Sequence, residues 1–175
     1  MATTWQLDPT HSELGFKVKH LMITNIKGEF RNFSAAIDGE DFSKAAISAM
    51  IDTSSIFTNE DNRDAHLKNA DFFDVDNHKE MTFKGSSLNK IDNENFELTG
   101  MLSIKGISKE IKLDVEYGGT STDPWGNEKM GFSINGKINR SDYGLNFNAA
   151  LETGGFLLGE EVKISADLQF VKKSA

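Results

Sequence analysis

Few residues in this chain could do chemistry. Four histidines, His11, His20, His66 and His78, are candidates for acid–base or metal-ligand work. Two arginines have aspartates close by, Arg63 beside Asp64 and Arg140 two residues before Asp142. A histidine next to a carboxylate can serve as a general base, which makes His20 or His66 with Asp64 or Asp142 the pairs to consider. An arginine fork suits phosphate or carbonyl oxygens. Neither chemistry is completed by a recognisable motif. There is no Gly-x-Ser-x-Gly, no phosphate-cradling glycine loop and no His-Glu-x-x-His. Asp74-x-Asp76 has the start of a calcium loop but lacks its glycine and final glutamate. The histidines are too scattered for a metal site to be assigned. With no cysteine, disulfides, zinc–thiolate centres and thiol nucleophiles are excluded. No catalytic residue, metal or cofactor is therefore assigned, and the chain reads as a non-enzyme.

The 175 residues read as one domain, residues 1–175, with enough apolar side chains for a sizeable core. Charged residues make up 26% and hydrophobic residues 38%, a balance that argues against disorder. The net charge of −8 opposes nucleic-acid binding, which needs a cationic footprint. It also gives no reason to expect docking on anionic membranes. No stretch approaches the roughly 20 apolar residues of a membrane helix, so no transmembrane segment is expected. The opening residues have neither a basic nor an apolar leader region, which predicts a soluble, cytoplasmic protein. A chain that had already lost such a leader would read the same way.

The elements that must position these residues are strands. Residues 131–138 alternate, with Phe132, Ile134 and Ile138 on one face and Ser133, Asn135 and Lys137 on the other. The run ends in Asn139-Arg140-Ser141-Asp142-Tyr143-Gly144, which fits either a barrel rim or a solvated turn after an edge strand. Similar alternation runs through Leu14, Phe16, Val18 and His20, then Phe96, Leu98, Gly100, Leu102 and Ile104. It recurs in Ile111, Leu113, Val115 and Tyr117, and in Val162, Ile164, Ala166, Leu168 and Phe170. Residues 28–39 predict a long strand bulged near Arg31 and Asn32, and residues 46–52 a further strand. Residues 81–84 and 88–92 predict two separate strands, 105–109 a tight turn, 118–126 a loop, and 146–160 a longer loop. Around 59–68, with Thr58 or Asn59 as N-cap, lies the one helical excursion, with Leu67, Ala70 and Phe73 as its apolar seam. About eight antiparallel strands of this kind close into a barrel that can hold one small ligand. Small inward residues Gly100, Gly136 and Ala166 leave room for a slot or mark barrel corners.

Trp5-x-Leu7-Asp8-Pro9-x-His11-Ser12, Phe16-x-Val18-x-His20-Leu21 and Gly28-x-Phe30 resemble the opening of the YceI family of lipid-binding proteins. So do Ile51-Asp52 with Ser55-Ile56 and Thr58, and Arg63-Asp64-x-His66-Leu67 with Asp71-Phe72-Phe73-Asp74. Thr82-Phe83, Gly100-x-Leu102-x-Ile104-x-Gly106 and Asn139-Arg140-x-Asp142-x-Gly144 continue the match over nearly the whole chain. The resemblance implies a lipocalin-like, eight-stranded antiparallel β-barrel, all-β apart from one helical insert. It also implies a long apolar ligand: a polyisoprenoid, a quinone or a fatty-acyl compound such as a fatty-acid amide. Many members are periplasmic. This sequence departs from them in showing no signal peptide, and in having Glu80 after Lys79 where the family often has proline.

On this reading the ligand fills a tube lined by Phe16, Val18, His20, Phe30, Leu98, Leu102, Leu113, Phe132, Ile134, Ile164 and Leu168. Its head group is met at the mouth by His11, Arg63, His66, Arg140 and Asp142. Each mouth residue also has a structural reading, with Arg63 paired to Asp64 or Asp142 and Arg140 to Asp8. Two other functions compete: a packed-core structural or stress-related interaction protein, and an enzyme acting on an apolar substrate. An exposed edge after Gly28 could pair across a two-fold axis into a homodimer.

Overall fold

The alternating runs become antiparallel strands whose apolar faces turn onto one another, because a sheet with a single greasy face must bury it. The computed structural model describes residues 3–152 and 156–174. Residues 1–2 of the opening segment and 153–155 of the predicted 146–160 loop lie outside them. Among the described residues are strands β1 (Thr3–Leu7), β2 (Glu13–His20), β3 (Thr24–Phe30), β4 (Phe33–Asp38), β5 (Ala46–Asp52) and β6 (Ile56–Phe57). After helix α1 (Asp61–Lys68) come β7 (Glu80–Lys90), β8 (Asn95–Ile104), β9 (Ile107–Thr122), β10 (Glu128–Asn139) and β11 (Leu158–Ser174).

The ring β1–β4–β5–β7–β8–β9–β10–β11 closes through the β11–β1 pairing. β2 pairs with β11, β3 with β2, and β6 with β3, so these segments continue the positions of β1, β4 and β5. The result is an eight-stranded antiparallel barrel in which three strands are bent. The bends fall at Asp8–Pro9, at Arg31–Asn32 and at Asp52–Ser55, and side chains replace the lost ladder bonds there. Asp8 accepts from the Thr10 backbone N–H at 3.0 Å, Asp52 accepts from that of Ser54 at 2.9 Å, and Asn32 donates to Asp52 at 3.2 Å. The predicted bulge at Arg31 and Asn32 is one of these breaks. The edge expected after Gly28 is paired with β6 only at Glu29 and Phe30.

Several boundaries differ from the sequence reading, each for a local reason. The strands predicted at 81–84 and 88–92 are one strand, Glu80–Lys90, because a bulge between Gly85 and Ser87 moves the inward positions from Met81 and Phe83 to Leu88. The predicted 105–109 turn is only Lys105 and Gly106, both at positive φ, and β9 begins at once. The loop predicted at 118–126 is strand as far as Thr122, with an irregularity where Gly119 takes φ 101°. The helix N-cap is Glu60, whose carboxylate accepts from the Arg63 backbone N–H, and α1 stops at Lys68, so Ala70 and Phe73 lie beyond it. Gly100 and Gly136 are not open slots. A Cβ there would overlap the Phe83 ring or the Leu113 side chain, so neighbouring residues fill those spaces.

Asp8 anchors the first bend. It accepts from the Thr10 hydroxyl at 2.6 Å, His11 Nδ1 at 2.9 Å and Lys129 Nζ at 3.0 Å. These bonds, led by the Thr10 hydroxyl, hold its carboxyl well below the usual carboxylate range. Because the folded pKa is depressed, the stabilisation is full above the unfolded pKa near 3.9 and fades as pH falls through the folded value. Asp8→Asn should therefore lower the unfolding free energy by about 1–2 kcal/mol at neutral pH. In urea titrations the gap to wild type should shrink below about pH 4. A gap that stays constant down to acid pH would show that the bonds at Asp8 do not depend on its charge.

Candidate functional site

The inward faces of the barrel enclose a cavity of about 520 Å³, within the roughly 300–1,000 Å³ range of small-molecule sites. All eleven residues expected along the tube line it: Phe16, Val18, His20, Phe30, Leu98, Leu102, Leu113, Phe132, Ile134, Ile164 and Leu168. Aromatic rings crowd one end. Phe42 projects from the loop after β4 and packs 5.3 Å from Phe96, 4.8 Å from Tyr117 and 5.2 Å from Phe132, centroid to centroid. Edge and tilted contacts of this kind are favourable beyond simple area burial. From Phe132 to Arg140, β10 rises roughly 26 Å toward the other end, at about 3.3 Å per residue.

The polar groups gather at that other end. Of the five expected mouth residues, Arg63, His66 and Arg140 line the cavity. His11 and Asp142 do not. His11 sits at the bend after β1 with its Nδ1 on Asp8, and Asp142 is exposed in the short helical turn after β10. The ion pairs considered for the arginines also do not form. Asp8 is engaged by Lys129 and His11 instead of Arg140. Arg63 donates to the Thr58 hydroxyl at 2.8 Å and to its carbonyl at 2.7 Å, while Asp64 accepts from the Thr58 backbone N–H at 2.8 Å and from its hydroxyl. Thr58 and Asp64 are both buried, so this network fastens α1 to the end of β6. The histidine–carboxylate pairs proposed for catalysis are likewise absent among the described residues. His66 Nε2 lies 2.9 Å from Asp71, and His20 has no carboxylate partner.

Arg140 is the most constrained of these groups. It is only 3% exposed. Its Nε donates to Gly159 O at 2.8 Å, and Nη1 to Leu145 O at 2.6 Å and Phe147 O at 2.8 Å. Among the described residues Nη2 has no partner, and no carboxylate lies within ion-pair distance. Burial pulls its pKa down, with the Glu160 charge opposing; a guanidinium stays protonated regardless. Next to it Tyr143 is 1% exposed, and its pKa is pushed up to about 12, first by burial and then by the Asp142 charge.

The sequence reading missed the aromatic cluster at this end. His66 lies 5.1 Å from Phe72 and 4.7 Å from Phe147, and Phe72 and Phe147 are 5.3 Å apart. Phe73 packs edge-on to Phe30 at 5.8 Å. The adjacent pair Phe72-Phe73, in a stretch otherwise rich in Asp and Asn, was the available signal. The lining contains His20, Arg63, His66 and Arg140 but no Asp, Glu or Lys among the described residues. In a chain of net charge −8 the lumen is thus apolar with basic groups only.

A closed barrel around one apolar lumen, carrying its few polar groups at one end, defines a class of small-molecule-binding β-barrels. Residues 5–170 match the model of the YceI-like domain, and the chain belongs to that family. It is 44% identical over 171 residues to the UPF0312 protein SAB2563 of Staphylococcus aureus, covering 96% of this chain and 97% of the relative. The crystal structure of the Campylobacter jejuni YCEI protein superposes with a TM-score of 0.77 at 38% identity, over 90% of this chain and 91% of the other. A polyisoprenoid binding domain from Saccharophagus degradans shares the fold at TM-score 0.69 and 16% identity, over 97% and 98%.

Arg140→Lys tests the rim. A single ammonium cannot serve three diverging carbonyls, so the unfolding free energy should fall by about 2–4 kcal/mol. Amide hydrogen exchange should speed up in residues 144–148 while β8 stays protected. An unchanged urea midpoint would show that the guanidinium does not hold this loop.

Proposed function

We propose that this protein is a non-catalytic carrier that encloses a long apolar molecule, a polyisoprenoid, a quinone or a fatty-acyl compound, in the barrel lumen. The observation that carries this reading is the 520 Å³ cavity, lined almost throughout by Phe, Leu, Ile, Val and Ala. A void of this character gains little from water and much from hydrocarbon. Each methylene it buries is worth roughly 0.8 kcal/mol, so a long chain can bind without polar contacts. Arg63, His66 and Arg140 stand where a head group with acceptor oxygens would lie. The Saccharophagus degradans protein of the same fold is a polyisoprenoid binding domain, which agrees with this ligand class. The cavity favours this reading over the competing structural one, a packed core without a tube.

The test is mass spectrometry of an organic extract from natively purified protein. A stoichiometric isoprenoid, quinone or acyl species is expected. An empty extract, from protein that also fails to take up added lipid of these kinds, would overturn the carrier reading. Leu102→Trp and Phe132→Trp place an indole in the lumen and should reduce ligand retention at least tenfold while the far-ultraviolet dichroism stays that of a β-barrel. Full retention in both folded variants would place the ligand outside the tube.

A further inference from the structure

The outer face of the barrel carries a feature that ligand storage does not use. Lys137 of β10 pairs directly with Lys163 of β11, Lys163 with Lys17 of β2, and Lys17 with Lys27 of β3. Four like charges thus stand in one cross-strand row, an arrangement that costs stability. Lys19 projects from the same face of β2, nearer the end of the strand. Among the described residues, Lys17, Lys19, Lys27 and Lys163 make no ion pair, and only Lys137 has an acidic partner, Glu161 at 3.7 Å. Elsewhere the lysines are interleaved with acids, and the chain as a whole is acidic.

Two of these four strands, β2 and β3, end in an apolar tip. Leu21 (40% exposed), Met22 (56%) and Ile23 (75%) form the β2–β3 turn, with Phe156 (55%) one residue before Leu157, whose carbonyl accepts from the Leu21 N–H. The His20–Ile23 turn has both central residues at positive φ, 54° and 65°, where asparagine and glycine are the residues that fit. Side chains unsuited to the turn are held in water at the end of the barrel where His20, Leu157 and Leu158 line the cavity.

We infer that this corner of the barrel docks on an anionic lipid surface, with the Leu21-Met22-Ile23 tip entering the apolar layer and the lysine row resting at the head groups. Charge complementarity and an apolar edge next to a basic patch are together what interfacial binding requires. Lysine stems are long enough to reach the head groups while the barrel leans on its β10–β11–β2–β3 side. The net negative charge, which by itself argues against membrane docking, is a whole-chain sum that hides this local excess. A nucleic acid or an acidic protein would meet the lysines but has no use for the tip. The inference goes beyond the carrier reading, because surface binding does not require an occupied lumen.

Flotation with phosphatidylcholine vesicles, and with equimolar phosphatidylcholine and phosphatidylglycerol, tests it. Wild type should float with the mixed vesicles only, and less as salt screens the contact. The variant K17Q/K27Q/K163Q should lose binding at least tenfold, about fivefold per lysine as an upper measure, and should melt higher than wild type as repulsion is relieved. L21N/M22G suits the turn better, so it should fold and melt no lower than wild type, yet also lose binding at least tenfold. None of these five side chains lines the lumen, so extracted ligand should be unchanged, which separates failure here from failure of the carrier reading. Absence of wild-type flotation on mixed vesicles overturns the inference. So does vesicle binding that L21N/M22G leaves intact, which would show that the tip does not enter the apolar layer.

Discussion

Closure of the barrel by its last strand is the constraint on which everything else rests. β11 bonds to β10 along one edge and, along the other, first to β2 and then to β1. Val162 thereby faces Ile138 on one side and Val18 on the other, and Phe170 faces Met130 and Leu7. The pairings of β11 with β1 and β2 join the two ends of the chain, so they carry the largest loop-closure cost and belong to the slow, non-local class of pairings. Without them two long sheet edges and a continuous apolar face would be open to solvent. The cavity is therefore a product of the seam, and its shape depends on how β11 meets the broken first strand.

The period-2 runs made most of this legible. Strands with uninterrupted alternation, such as β8, β10 and β11, and the inward sets Leu98, Leu102 and Phe132, Ile134, read directly from sequence because a pleated strand leaves no choice of face. The errors cluster where one extra residue enters a strand. At Gly85–Ser87 and Gly118–Gly119 the parity changes, and a reader following alternation sees a strand end or a loop. Glycine and serine at such points are signals for a bulge as much as for a turn. The polar site was less legible. His11 and Asp142 have suitable chemistry, but which way a bend turns its side chains depends on long-range pairing that no local pattern encodes. Phe147 is visible as an apolar residue in a loop, but nothing local pairs it with His66 and Phe72.

The mouth shows how a basic group can be held in a greasy setting without an acid beside it. Arg63 rests on the hydroxyl and carbonyl of Thr58, and Arg140 on three backbone carbonyls. Carbonyl dipoles satisfy the N–H donors but do not cancel the charge, so the lumen keeps a positive character that a carboxylate partner would remove. Asp64, the acid adjacent in sequence, is turned away to bond Thr58, and the two functions of charge and anchoring are thereby separated onto neighbouring residues.

The Phe42 ring has a kinetic meaning. Stacked among Phe96, Tyr117 and Phe132, it crowds one end of the lumen, and on the carrier reading a tube closed there would have one working end. A guest in a blind tube is threaded tail first and leaves head first, and a second guest has no rear door through which to push it out. Exchange is then set by spontaneous withdrawal of the occupant, at a rate that falls steeply with each added carbon buried, and not by the concentration of whatever waits outside. On the carrier reading such a barrel would work as a timer on its guest, with chain length fixing the dwell time and release taking place through the end that admitted it.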